Sequence, residues 1–179
     1  MRVRSKNGNL LLNVPPKADG SFDSRVVNTL HEIGSWLSLN GAAIYKTRPW
    51  TTCCEDNANA TRVEGGWPIY NLGQFRFTTS ARAIFVTAFG WPAGGSMLVH
   101  SLNSSAPLAV GAKVTNVTIV GTDAAVAWTR TARGLSLKLP AEKPTELAHR
   151  AWVLRVHVDG AEVDAIDAPT ARVRRRIVD

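Results

Sequence analysis

Hydrophobic and polar positions follow three regimes along the chain. Leu10-Leu11-Leu12, followed by Asn13-Val14, is a continuous apolar run, the pattern of a strand covered on both faces, as in a parallel sheet. Pro15-Pro16 ends it, since neither proline can donate to a strand ladder, and Ala18-Asp19-Gly20 is turn chemistry. A helix is predicted next. Val26, Leu30, Ile33 and Leu37 recur at helical spacing with Val27 beside them, which defines one buried stripe. Asp23 is its expected N-cap, with Phe22 stapled against Val27. Asn40-Gly41 is its expected stop, the glycine taking the left-handed conformation that closes many helices.

From about Gln74 the pattern shortens. Strand-like runs are predicted over 75–79, 83–89, 96–102, 114–120, 125–129, 135–139 and 151–158, separated by turn residues such as those at 90–95, Gly121-Thr122-Asp123 and Arg133-Gly134. Regular strands with no helical stretch between them predict an antiparallel β-sandwich. The segment 47–73 reads as a linker containing the first strand. The expected organisation is therefore 1–46 as a remnant of an α/β unit, 47–160 as the sandwich and 161–179 as a basic tail. A strand–loop–helix needs parallel strands to pair with, and the remaining sequence supplies none. The fold class is mainly β, with an incomplete strand–helix unit in front.

Composition adds little to this: 45% hydrophobic and 20% charged residues mark a globular chain. No apolar run approaches the ~20 residues of a membrane span, and the first residues contain no hydrophobic signal segment. The net charge of +7 is gathered at the ends, in Arg172, Arg174, Arg175 and Arg176 and in Arg2, Arg4 and Lys6. No aromatic residues interleave with them, so neither nucleic acid nor membrane is the expected partner. The two adjacent cysteines, Cys53 and Cys54, are expected as reduced loop thiols, since neighbouring cysteines seldom meet disulfide geometry. Sequons occur at Asn59, Asn103 and Asn116. The four histidines show no metal-ligand spacing, and no cofactor is expected.

The quoted runs also carry a resemblance. N-G-N-L-L-L-N-V-P-P with A-D-G after it, and E-I-G-S-W-L-S-L-N-G-A-A-I-Y-K-T-R-P-W, resemble the late catalytic-domain signature of the α-L-fucosidases. F-R-F-T-T (75–79), F-G-W-P (89–92), V-H-S-L (99–102), A-W-T-R (127–130) and R-G-L-S-L-K-L-P-A (133–141) are similar in order and spacing to the C-terminal domain of that family. The resemblance implies the last strand and helix of a (β/α)8-type barrel followed by a sandwich. It implies a retaining glycoside hydrolase acting on fucosylated glycans without a cofactor, in a secreted, periplasmic or lysosomal setting.

That chemistry needs an aspartate nucleophile and an acid/base carboxyl about 5–5.5 Å apart. In the family both lie upstream of the N-G-N-L-L-L-N run. None of the 14 acids here reads as a replacement: Asp19 and Asp23 belong to a turn and a cap, Glu32 to the helix, Glu55-Asp56 to a polar linker, and Asp123, Glu142 and Glu146 to loops. No catalytic residue is therefore assigned. The chain alone is expected to be inactive, with the missing catalytic barrel as its structural partner. The resemblance implies that a leucine of the last strand, Leu12 or Leu10, lines the apolar patch receiving the C5 methyl of fucose, with Asn13 at the strand end reaching the pocket. Plain core packing is the alternative for these leucines. Trp50 is expected to pack rather than stack on sugar. Trp67, Trp91, Trp128 and Trp152 keep a second reading open, a free-standing carbohydrate-binding or interaction sandwich.

Overall fold

The computed structural model describes residues 2–56, 72–106, 108, 112–122, 124–147 and 151–159. Two short or medium helices, α1 (Arg2–Ser5) and α2 (Ser24–Asn40), precede strands β1 (Arg48–Glu55), β2 (Phe75–Ser80), β3 (Ala83–Phe89), β4 (Ser96–Val99), β5 (Val114–Ile119), β6 (Ala127–Thr131), β7 (Gly134–Lys138) and β8 (Ala151–Val158). The strands form a five-stranded sheet in the order β1-β2-β3-β8-β5 and a three-stranded sheet in the order β4-β7-β6. Every recorded strand pair is antiparallel. The mainly β sandwich read from the sequence is what the chain forms. Asp123, Trp67, His149, the sequon at Asn59 and the basic tail lie outside the described residues. Among the described residues no helix is long and apolar enough to cross a membrane.

Alternation explains the core. Phe75 and Phe77 of β2, Ile84, Val86 and Ala88 of β3, and Trp152, Leu154 and Val156 of β8 point to one face and meet Met97, Val99, Leu135 and Leu137 of the opposing sheet. The outer face of the larger sheet is not simply wet. Ala83, Phe85, Val120 and Val153 form a second buried cluster with Ala43, against which Trp36 of α2 packs. This is why, after Ala151, β8 has three consecutive buried residues, Trp152, Val153 and Leu154.

Four expectations are corrected. The strand over 10–14 does not form: residues 8–17 have no regular secondary structure, and Leu10, Leu11 and Leu12 are 74%, 86% and 52% exposed. A strand is stable only when neighbours satisfy its N–H and C=O groups, and this segment has none. Ahead of it the chain instead turns through α1, whose Arg4 donates from Nε to Thr47 Oγ1 at 3.3 Å. Second, the predicted stripe of α2 is not its packed face. Leu30 and Ile33 remain exposed, while Trp36 and Leu39 pack on the sandwich.

Third, Gly41 is right-handed (φ −58°, ψ −25°) and opens a 3-10 turn over Gly41–Ala43. Its glycine character answers a close approach instead: a Cβ there would stand 2.7 Å from the Tyr45 ring. Fourth, Cys53 and Cys54 are joined to each other. In β1 the pairing jumps from Pro49↔Thr78 to Cys54↔Arg76, so residues 50–53 stand opposite Phe77 alone. This bulge releases two successive side chains from the opposed directions of a regular strand.

The Asp23 cap is present: its Oδ1 accepts from the Arg25 N–H at 2.9 Å. The Arg25 side chain, followed by that same N–H, holds the Asp23 carboxyl below its ordinary value. A folded-state value below the unfolded one contributes stability in full above the ordinary aspartate range and loses it as pH falls through the depressed value. Amide protection in the first turn of α2 should therefore drop in acid below about pH 4, whereas Asp23→Asn should cap without that pH dependence; hydrogen exchange across pH 2–6 on the order of single pH steps would show both.

Arg130 of β6 ties down the loop after β4. It donates from Nε to the carbonyls of Leu102 (3.1 Å) and Asn103 (3.0 Å), and from Nη2 to Asn103 (2.6 Å) and Ala106 (3.3 Å). Burial lowers its pKa. Arg130→Met keeps the stem but leaves these carbonyls without their cation, at a cost of about 2–3 kcal/mol. Urea unfolding should show the loss, with Arg130→Lys intermediate because a single ammonium cannot span three carbonyls.

Candidate functional site

The residues expected to meet substrate, Leu10, Leu12 and Asn13, share an exposed segment between α1 and α2. A compact loop follows it. Asp19 Oδ1 accepts from the Ser21 N–H (2.9 Å) and hydroxyl (2.7 Å), Lys17 N–H donates to Ser21 O at 2.7 Å, and Gly20 sits at φ +81°. The hydroxyl and N–H of Ser21 lower the Asp19 pKa. From there α2 runs to the sandwich, where the Trp36 indole N–H donates to Ala151 O at 2.7 Å. Leu39 lies against Gly121, whose φ of +91° and lack of a side chain make room for it. The segment is thus carried on a helix fixed at its C-terminal end.

Of the acids that the sequence reading set aside as structural, Asp19, Asp23, Glu55 and Asp56 are engaged in structural contacts. Glu55 is the last residue of β1 rather than part of a linker. Its carboxylate accepts from the backbone N–H groups of His100 (3.1 Å) and Ser101 (2.7 Å), closing the 3-10 turn His100–Leu102 and bridging one sheet to the other. Asp56 pairs with the buried Arg76 at 2.7 Å. Asp159 Oδ1 accepts from the Lys113 N–H at 2.6 Å. Among the described residues no group of three or more His, Cys, Asp or Glu could hold a metal ion.

The aromatic residues divide in the same manner. Trp50 is fully buried, edge-on to Phe77 with centroids 5.2 Å apart. Trp152 is buried, donates to Gly90 O at 2.8 Å and lies 4.7 Å from Trp91, which donates to Pro140 O at 3.1 Å. Trp128 packs against the core from its rim. Each of these indoles is used in the sandwich interior or at its edge. His157 Nε2 meets Thr118 Oγ1 at 3.2 Å and His100 Nδ1 meets Arg133 O at 3.0 Å, while His31 is on the exposed side of α2.

Sequence reasoning missed the docking of Trp36 and Leu39, the Glu55 bridge and the Arg130 clasp. The first had a signal: consecutive apolar residues at 152–154 of an otherwise alternating strand require a cover on both faces. The other two are contacts between residues far apart in sequence, which no local pattern encodes.

Comparison with known proteins accounts for both parts of the chain. The α-L-fucosidase model matches residues 1–42 and the α-L-fucosidase C-terminal domain model matches residues 72–157. The tissue α-L-fucosidase of Mus musculus is 30% identical over 154 residues, 85% of this chain and 29% of its own. The α-L-fucosidase of Branchiostoma floridae is 29% identical over 154 residues, 85% of this chain and 30% of its own. Among solved structures, Thermotoga maritima α-fucosidase superposes with a TM-score of 0.64 at 32% identity, covering 87% of this chain and 32% of that one. The chain thus spans under a third of the length of these relatives. Two models of one family in tandem order, with relatives and structures that run across both, place the chain in the α-L-fucosidase family.

Proposed function

We propose that this chain is the C-terminal portion of an α-L-fucosidase, a retaining glycoside hydrolase that releases terminal α-L-fucose from glycans. In this reading residues 1–46 close a catalytic barrel and the sandwich buttresses it. One observation carries the proposal. Among the described residues, Leu10, Leu11, Leu12, Phe22, Leu30 and Ile33 are large apolar side chains left exposed within residues 1–42, the stretch that matches the α-L-fucosidase model. Exposed apolar residues gathered in one short stretch suit a contact face. Their exposure also favours this reading over a free-standing module, which would cover its own apolar residues.

The division of labour follows from the chemistry. A retaining mechanism needs one carboxylate to attack the anomeric carbon and a second carboxyl to protonate the departing oxygen, then to deprotonate water. The acids described above are held in caps, ion pairs and turns, so the barrel supplies both groups. This chain contributes a wall of the pocket. When the 10–14 segment is paired with barrel strands it becomes extended, and Leu10 and Leu12 then point the same way. They form the apolar patch for the C5 methyl, with Asn13 beside them at the strand end.

The purified chain should show no hydrolysis of a fluorogenic α-L-fucoside above the buffer rate, and hydrolysis should appear when the chain is fused behind a family barrel. Activity of the chain by itself would overturn the proposal. In that fusion, Leu12→Ala should lower kcat/KM for the fucoside while sparing the α-L-galactoside, which carries a hydroxymethyl group at the same carbon. The preference between the two should fall by about tenfold, the discrimination that a small apolar contact supplies. An unchanged ratio in Leu12→Ala and in Leu10→Ala would remove these leucines from the pocket.

A further inference from the structure

Where the C-terminal end of α2 meets the outer face of the larger sheet, a cleft of about 530 Å³ opens, lined among others by Ser38, Gly41, Tyr45, Gly121 and Arg155. Its volume falls within the range of small-ligand sites. Arg155 lies at its floor, half-buried on β8, with its guanidinium carbon 5.5 Å from the centre of the Phe85 ring. The residues opposite it on the neighbouring strands are Phe85 and Thr118, and neither bears a charge. The Arg155 guanidinium takes part in no hydrogen bond or ion pair among the described residues. The fixed fork of a guanidinium backed by an aromatic face suits a planar carboxylate.

The walls add a second kind of contact. Tyr45 is 61% exposed, and its ring lies so close to Gly41 that any side chain there would displace it. One face is thus held by the backbone and the rest is presented to solvent. The phenol oxygen makes no hydrogen bond among the described residues. Ser38 donates its hydroxyl proton to Gly34 O at 3.0 Å, which leaves its oxygen free to accept. An aromatic ring, two oxygens and an arginine fork in one concavity match a ring bearing hydroxyls and a carboxylate.

We propose that this cleft binds a carboxylate-bearing sugar, Arg155 receiving the carboxylate and Tyr45 and Ser38 the ring and its hydroxyls. The choice of a sugar rests on the glycan-directed reading above, while the choice of an anion rests on Arg155 alone. The site would hold an acidic residue of a branched glycan, away from the leucines assigned to the fucose methyl.

Saturation-transfer difference NMR on the full chain, with N-acetylneuraminate, glucuronate, acetate and fucose as separate probes, tests this without any fucoside hydrolysis, so its outcome is independent of the activity assays. The acidic sugars should give saturation transfer and acetate and fucose should give much less. Arg155→Met should weaken acidic-sugar binding by about tenfold or more, as the loss of charge-assisted hydrogen bonds requires. Tyr45→Ala, at an exposed position, should weaken it with the fold unchanged by circular dichroism, and so guards against a misfolded Arg155 variant. Acetate binding as tightly as the acidic sugars would reduce the site to a bare anion site and overturn the proposal. So would the absence of binding by both acidic sugars, or an Arg155→Met variant that only lowers the melting temperature, which would confine Arg155 to a structural role beside the helix end.

Discussion

The outer face of β3 and β8 must be covered, and the helix that covers it fixes the position of everything upstream. Ala83, Phe85 and Val153 would otherwise meet water on a face that, in a two-sheet sandwich, is normally polar. Trp36 meets this need with both ends of its side chain. The ring packs on the cluster, and its N–H satisfies Ala151 O at the start of β8. Burying a large side chain stabilises by about 1.5–3 kcal/mol, and the paired N–H avoids the penalty of a buried donor without a partner. Leu39 on Gly121 and Thr78 Oγ1 donating to Ala43 O at 2.8 Å extend the same contact. The N-terminal segment is therefore held as part of the sandwich.

A helix docked by one edge has another edge to account for. Trp36 and Leu39 are used on the sandwich, whereas Leu30 and Ile33 point elsewhere and stay exposed. One sheet cannot bury both edges, so the second edge of α2 stays open in this structure. The exposed leucines at 10–12 continue the uncovered surface towards the chain's beginning. By contrast, the sandwich strands place their large apolar residues inside, and Glu55 locks the two sheets through the amides of His100 and Ser101. The apolar exposure is thus concentrated towards the N-terminal segment and does not reflect loose packing throughout.

How much of this could be read from the sequence follows from the range of each interaction. β3 and β8 match the predicted spans 83–89 and 151–158 residue for residue, because alternation and turn glycines are local signals. The Asp23 cap was legible for the same reason. The run at 10–14 reads locally as a strand but forms none here, because strand formation depends on pairing, which is not a local signal. The run 96–102 was read as one strand, yet it turns into a 3-10 segment after Val99, since the Glu55 carboxylate draws the amides of His100 and Ser101 out of the ladder. The disulfide escaped notice because it depends on a bulge set by strand register. Leu10, Leu12 and Asn13 lie on an exposed segment, where local pattern carries no information on what they contact.

The electrostatics point the same way as the apolar surface. A glycosidase acid/base group needs a carboxyl whose pKa is raised, by an apolar pocket or by a second carboxylate close by. Asp19 and Asp23 are instead pulled down, each by hydrogen bonds to its carboxylate form. Glu55 accepts from two backbone amides and Asp56 pairs with a guanidinium, contacts that engage both in the architecture. An anion held by N–H donors is a poor proton donor and, with its lone pairs engaged, a poor nucleophile. These four carboxylates therefore serve the architecture. Leu10 to Leu12 and the free edge of α2 present exposed apolar surface instead.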